Sequence, residues 1–345
     1  MNISDALGTL VNHQDLSLEE TQSVFETIMT GEATPAQIGA FLSAIRVKGE
    51  TPQEIAGAAT TMRALSTKVQ VSHPNLVDTC GTGGSGTKLF NISTAAAFVA
   101  AAAGAKVAKH GNRKMTSFCG SADLLEAAGV NLQLTPEQIA TCILEVGVGF
   151  MFAQAHHSAM RFAGPVRQEI GIRTMMNVLG PMTNPAGATR QVIGVFDREW
   201  QSKMAEVLKL LGAEHAMIVH SGGLDEIRLD QITHVVELKQ GDILEYELDP
   251  GQYDIQSTGA SAQDGLSATS VEDSLRLVKQ ALNEPGTPAA DIVTLNAGAA
   301  IYVSGVATSM EAGIQLAVEA IASGQANACL EELASISTTM AKAEA

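Results

Sequence analysis

The spacing of apolar positions changes character once along the chain, near residue 75. Before that point apolar residues recur every three or four positions: Ile38, Phe41, Leu42 and Ile45, then Ile55, Ala59, Met62 and Leu65. This period gathers them on one stripe of a helix. The helix starts are legible too. Ser17 with Glu20, Thr34 with Gln37 and Thr51 with Glu54 form capping boxes, in which two side chains satisfy amides that a first turn leaves free. Pro35 and Pro52 stand at first helical positions, where a missing N–H costs nothing. Residues 1–71 are therefore expected to form a small all-helical domain.

From residue 75 strands and helices alternate. Strands are predicted at 76–80, 105–109 and 148–152, and helices at 92–103, 121–128 and 135–146. The alternation predicts an α/β domain with a mostly parallel central sheet. Residues 156–185 interrupt it. His156–Arg161 read as a helix, a second short helix starts at Pro165, and Asn177–Gly187 is rich in turn residues. The expected path returns to the helical domain at about 158–184, leaving 72–157 and 185–345 as the α/β domain. Strands resume at 191–196 and 216–220, a β-rich meander is expected over 232–262, and the last 75 residues read as helices, Ala289–Ser304 among them.

Composition narrows the function classes. With 345 residues and 46% apolar positions, the chain has enough material for two domains and a sizeable core. A net charge of −16 makes nucleic acid or an anionic membrane an unfavourable partner, while a small anion needs only local cations. Cys80, Cys119, Cys142 and Cys329 lack metal-ligand spacing and fit reduced thiols. Met1–Asp5 shows no signal-peptide pattern, and the apolar run Ala95–Ala103 is too short to span a bilayer. A cytoplasmic location is expected.

The chemistry centres on Asp78-Thr79-Cys80-Gly81-Thr82-Gly83-Gly84-Ser85-Gly86, between a predicted strand and an Ala-rich helix. Glycines there allow close backbone approach, and free amides beside a helix N-terminus favour an anion. Gly81, Gly83 and Gly86 also spell a dinucleotide fingerprint, but no Asp or Glu lies between Gly86 and Lys109 to take a ribose. A plain turn is the third reading. The next strand instead ends in Lys109-His110-Gly111-Asn112-Arg113-Lys114, which is either a pyrophosphate clamp or a solvated basic turn. Asp225-Glu226 is the candidate magnesium pair, with a hydroxyl from Ser93, although an acidic pair taken alone is usually plain surface. Arg167 and Arg173 are either helix arginines in ion pairs or carboxylate receptors.

Together Gly81-Thr82-Gly83-Gly84, Asn91-Ile92-Ser93-Thr94, Lys109-His110-Gly111-Asn112-Arg113, Gly120-Ser121-Ala122-Asp123, Leu179–Pro185 and Leu224-Asp225-Glu226 resemble the anthranilate phosphoribosyltransferases, in register from about residue 5 to 330. The resemblance implies the two-domain fold shared with nucleoside phosphorylases, a homodimer paired through the helical domain, and Mg2+ as cofactor. It implies transfer of phosphoribose from phosphoribosyl pyrophosphate to the amine of anthranilate, in tryptophan biosynthesis. Carried over by position, Gly81, Gly84, Ser85, Asn91, Ile92, Ser93 and Thr94 would hold phosphoribosyl pyrophosphate. Lys109, His110, Gly111, Asn112, Arg113, Lys114, Met115, Thr116 and Ser117, with Ser121, would form an arm over it. Gly81, Asn112, His157, Arg161 and Arg167 would meet anthranilate, Lys109 and His110 would be catalytic, and Ser93, Asp225 and Glu226 would take the metal. The chain departs from the family at Ser85, where an Asp is usual, at Leu89, where a Thr is common, and at Phe118, where a Lys is. A pyrimidine nucleoside phosphorylase, a transferase to another aromatic amine and a nucleic-acid-binding relative are the rival readings. The acidic pair speaks against the first and the intact loop against the last.

Overall fold

In the computed structural model, residues 1–83, 88–114, 118–255, 257 and 265–343 are described. Four helices open the chain: α1 (Ile3–Val11), α2 (Leu18–Met29), α3 (Pro35–Lys48) and α4 (Pro52–Leu65). The capping boxes at Ser17, Thr34 and Thr51 all form, each with both of its hydrogen bonds.

The α/β part follows as β1 (Leu76–Gly81), α5 (Ile92–Ala102), β2 (Lys106–Gly111), α6 (Ser121–Ala127), α7 (Pro136–Glu145), β3 (Val148–Phe152), α8 (Ala153–His156) and α9 (Met160–Ile170). It continues through β4 (Arg190–Gly194), α10 (Trp200–Leu210), β5 (His215–His220), β6 (Thr233–Lys239) and β7 (Asp242–Leu248). The chain closes with α11 (Val271–Asn283), α12 (Pro288–Ser304), α13 (Met310–Ala322) and α14 (Gln325–Ala343). One seven-stranded sheet runs in the order β3-β2-β1-β4-β5-β6-β7. The first five strands are parallel, and β6 and β7 are antiparallel additions. Part of the meander expected over 232–262 lies outside the described residues, at 256 and 258–262, and what is described of it is one hairpin ending at Leu248. Its two-residue loop, Gln240-Gly241, has both φ values positive (53° and 90°), the turn that matches strand twist.

Both sheet faces are covered. Helices α5 and α11–α14 share one apolar core with Val77, Val107, Val192 and Val219 of the strands. On the other face α1–α4, α9 and α10 pack over Ile193, Ala216, Ile218 and Val236. Helix α9 is continuous through Pro165, where two helices are expected from the sequence. Ala163 and Val166, three positions apart, bury against the helical layer. That burial outweighs the one backbone hydrogen bond a proline removes.

The connectivity creates one switch point. From β1 the chain winds outward through β2 and β3, then returns to lay β4 on the other side of β1 and winds on to β5. Beyond the carboxyl ends of the two central strands the following loops part in opposite directions, which is where ligands sit in open α/β sheets. Here those ends are Gly81 and Gly194, paired in register.

Candidate active site

Asp225 closes the switch point from above. Its Oδ2 accepts a hydrogen bond from Gly83 N at 3.1 Å. A Cβ on Gly81 would stand 2.7 Å from the same oxygen, and one on Gly194 would stand 1.7 Å from the Asp225 carbonyl oxygen. Both strand ends must therefore be glycine for the acidic loop to sit this low. Thr82 ties the two strand ends together by donating its N–H to Gly194 O at 2.9 Å. On α12, Asn296 brackets Ile227, accepting from its N–H (3.0 Å) and donating to its carbonyl (2.9 Å). This buried amide holds the segment that carries Asp225 and Glu226.

Helix α5 begins beside them. Its N-cap, Asn91, makes no capping bond, because its side chain accepts from Ser274 Oγ (2.7 Å) and donates to Cys119 O (3.2 Å). The freed Ser93 amide donates to Glu226 Oε1 at 3.3 Å. Lys109, at 2% exposure, threads from β2 under the same point. Its ammonium donates to Thr79 O and lies 3.5 Å from Ser93 Oγ. Burial pulls the Lys109 pKa down, and the carboxylate of Asp78 opposes that pull. Asp78 is itself fully buried, held by His110 N (3.2 Å) and Asn184 Nδ2 (2.8 Å).

Burial, reinforced by Asp225, pushes the Glu226 carboxyl up to about 8. Two adjacent acids short of positive charge fit a divalent cation. Among the described residues no cluster of three or more His, Cys, Asp or Glu is arranged to hold a metal. Two carboxylates with the nearby Ser93 hydroxyl are the oxygen donors that magnesium takes, and a site of these three would leave further positions to ligand oxygens.

Residues 4–66 match the profile described as "Glycosyl transferase family, helical bundle domain", and residues 73–327 that of "Glycosyl transferase family, a/b domain". The anthranilate phosphoribosyltransferase of Cellvibrio japonicus is 56% identical across 97% of this chain and 98% of its own length. That of Hahella chejuensis is 54% identical over the full length of both. The chain belongs to the anthranilate phosphoribosyltransferase family. Its solved structures agree. The anthranilate phosphoribosyltransferase of Thermus thermophilus superposes with a TM-score of 0.91 at 42% identity, covering 97% of this chain and 99% of that one. The Saccharomyces cerevisiae enzyme, solved in complex with phosphoribosyl pyrophosphate and magnesium, superposes at 0.86 over 98% of each chain, and at 24% identity that likeness speaks for the fold.

Against the residues that anthranilate phosphoribosyltransferases lead one to expect, Gly81, Ser93, Lys109, Asp225 and Glu226 converge as described. Gly84, Ser85, Met115, Thr116 and Ser117 lie outside the described residues. Ile92 is fully buried, so only its backbone faces a ligand. Thr94 turns a hydroxyl into the interior, unpartnered among the described residues. Gly111 and Ser121 touch, since a Cβ on the glycine would meet Ser121 Oγ at 2.1 Å, and Ser121 Oγ donates to Asn112 O at 3.4 Å. Arg113 is engaged away from the glycine loop. It pairs with Asp123 (3.1 Å) and Glu126 (2.7 Å), while Asp123 also accepts from Lys114 N and Gly120 N. Phe118 receives the ammonium of Lys88 over its ring at 5.4 Å. Arg161 lies exposed over the Phe162 ring. Arg167, half-buried on α9, has no hydrogen-bond or ion-pair partner for its guanidinium among the described residues, and burial lowers its pKa. Arg173 stacks on Phe196 at 3.9 Å.

His110 and His157 meet with ring centroids 5.1 Å apart. Burial, with the neighbouring histidines adding, pushes His110 down to about 3 and His157 down to about 4. Both are neutral in the fold and protonate near 6.5 when unfolded. The unfolded chain then binds protons that the fold refuses, so stability drops as pH falls below about 6.5, by up to about 1.4 kcal/mol per pH unit for each ring. In thermal melts from pH 7 to 4.5, His110→Gln is expected to flatten the acid fall of Tm relative to the parent. Parallel curves would contradict the assignment.

The sequence reading passed over Gly194 and Asn296, and it named Asp78 and Asn184 only as members of motifs, without a role. Each holds a neighbouring residue of the candidate site in place, and the trace of Gly194 and Asn296 in sequence is a glycine or a polar residue inside an apolar element.

Proposed function

We propose that this chain transfers the phosphoribosyl group from phosphoribosyl pyrophosphate to the amine of anthranilate, giving N-(5-phosphoribosyl)anthranilate and pyrophosphate for tryptophan biosynthesis. The observation that carries this reading is the switch point. Glycine amides, the α5 N-terminus, a buried lysine and an acid pair meet there in a chain that aligns end to end with named anthranilate phosphoribosyltransferases.

In the reaction the bond from ribose C1 to the pyrophosphate oxygen breaks, and the nitrogen lone pair of the amine forms the new bond at C1. One amine proton leaves to solvent. Positive charge builds on the sugar and negative charge on the departing pyrophosphate. Lys109 and the N-terminal amides of α5 would meet that negative charge, which their positive ends stabilise. Asp225, Glu226 and Ser93 would hold magnesium, which when bound supplies charge stabilisation for the pyrophosphate oxygens. His110, with a pKa of about 3, is too weak a base to hold a proton at neutral pH. Its role is to accept an amine N–H and orient the lone pair. Arg167 offers a guanidinium to the anthranilate carboxylate. Orientation of the two reactants by these groups supplies the greater part of the acceleration, of order 7–11 kcal/mol for well-aligned partners.

Mixing the protein with magnesium, phosphoribosyl pyrophosphate and anthranilate should quench the fluorescence of anthranilate as product forms. A steady signal together with no pyrophosphate release would refute the reading, and turnover of a different aromatic amine alone would reassign the acceptor.

A further inference from the structure

The turn Gly180–Thr183, between α9 and β4, offers four successive carbonyls to three buried side chains and the half-buried Arg63, all from separate parts of the chain. Gly180 O receives the His110 ring, and Thr183 O receives the His157 ring. Pro181 O accepts from Gln191 Nε2 at 2.7 Å, and Met182 O accepts from Arg63 Nε at 2.7 Å. The next residue, Asn184, bonds Asp78 and the Ala108 carbonyl (2.8 Å each) and so locks the end of the turn to β1 and β2.

This arrangement decides the chemistry of both imidazoles. A carbonyl only accepts, so the ring nitrogen facing it carries the hydrogen. In each ring Nε2 is buried and has no partner among the described residues, which leaves the other nitrogen, Nδ1, as the donor. A neutral imidazole has one N–H, so both Nε2 atoms are bare acceptors. Two unpaired acceptors side by side are costly unless a donor arrives. A substrate amine is such a donor.

Arg63 is the one member of the set that comes from the helical layer. It sits near the end of α4, its guanidinium donates to the carbonyls of Met182 and Leu211 (3.4 Å), and no carboxylate pairs with it among the described residues. Simple packing would be served better by an apolar side chain than by a desolvated cation on two carbonyls. We infer that Arg63 is a positioning residue: by gripping Met182 O it sets the Gly180–Thr183 turn, and through that turn the tautomer and aim of His110 and His157 toward the acceptor amine. The inference rests on the function proposed above for its kinetic consequence, but the tautomers themselves need no substrate.

The test uses the full chain labelled with 15N-histidine, with Arg63→Met and Arg63→Lys. In the parent, long-range proton–nitrogen spectra should show His110 and His157 protonated at Nδ1, alongside His156 and His220, whose Nδ1 atoms face carbonyls of their own. Arg63→Met is expected to turn at least one of His110 and His157 into a tautomer mixture. It should raise KM for anthranilate about tenfold or more, with KM for phosphoribosyl pyrophosphate within twofold. Arg63→Lys keeps a donor on a flexible stem and should recover part of the anthranilate KM. If the Met variant does not fold, the Lys variant carries the same two readouts against the parent. A parent with Nε2–H rings would overturn the inference, as would variants whose Tm falls while tautomers and the KM ratio stay fixed. An inactive parent with the Nδ1–H rings in place would fail the functional reading and leave the positioning intact.

Discussion

Asp225→Asn is expected to slow phosphoribosyl transfer about a hundredfold at fixed magnesium and to move half-activation to a higher magnesium concentration. The size is that of removing one preorganised electrostatic group from a site that handles a growing charge. The change is nearly isosteric, so the bond from Gly83 N can persist through the amide oxygen, and the glycine floor formed by Gly81 and Gly194 is undisturbed. What is lost is one of two adjacent charges, and with it much of the reason a divalent cation would settle beside Glu226. Initial rates against magnesium concentration decide the matter. An activation curve that overlays the parent's would remove Asp225 from the metal site.

Arg167→Ala should raise KM for anthranilate by roughly 30- to 160-fold and leave that for phosphoribosyl pyrophosphate nearly unchanged. A charge-assisted bond to a desolvated guanidinium contributes about 2–3 kcal/mol, and RT converts that to the stated range. Because the guanidinium has no partner among the described residues, the substitution frees no buried carboxylate, and little change in Tm is expected. Arg167→Lys should recover only part of the loss, since an ammonium cannot meet a carboxylate with two parallel bonds. Equal rises in both KM values would detach Arg167 from the acceptor. Methyl anthranilate, which lacks the carboxylate charge, would then serve the parent as well as anthranilate does.

Helices of the first layer were legible because their signals are local. Each capping box spans four residues, and each stripe repeats within two turns, so Ser17, Thr34 and Thr51 mark true starts. The α/β alternation was equally plain. Pro165 misled because a proline usually ends a helix, and only the burial of Ala163 and Val166 keeps α9 whole. The meander was expected to run past Leu248, but Asp249-Pro250-Gly251 turns the chain there and Pro250 has no N–H to carry a ladder further. Within the site, residues with unusual local chemistry stood out: the glycine run, Lys109 and the acid pair. What sequence could not give is the strand order. Only the β1–β4 adjacency places Gly81 opposite Gly194 and explains why Asp225, far along the chain, lies over the loop after β1. The same holds for Arg113, basic and adjacent to the loop in sequence, yet facing Asp123 and Glu126 across a turn.

The Gly81–Gly194 pair also has a meaning for redesign. A side chain at either position collides with Asp225, and at Gly194 the collision is with main chain that cannot rotate aside. Variant libraries aimed at a new acceptor amine will therefore lose every member that varies this floor, whatever else they carry. Diversity placed on α9, around Arg161 and Arg167, leaves the floor untouched. The molecule thus separates a half that must be inherited from a half that can be edited, and the dividing line is two residues wide.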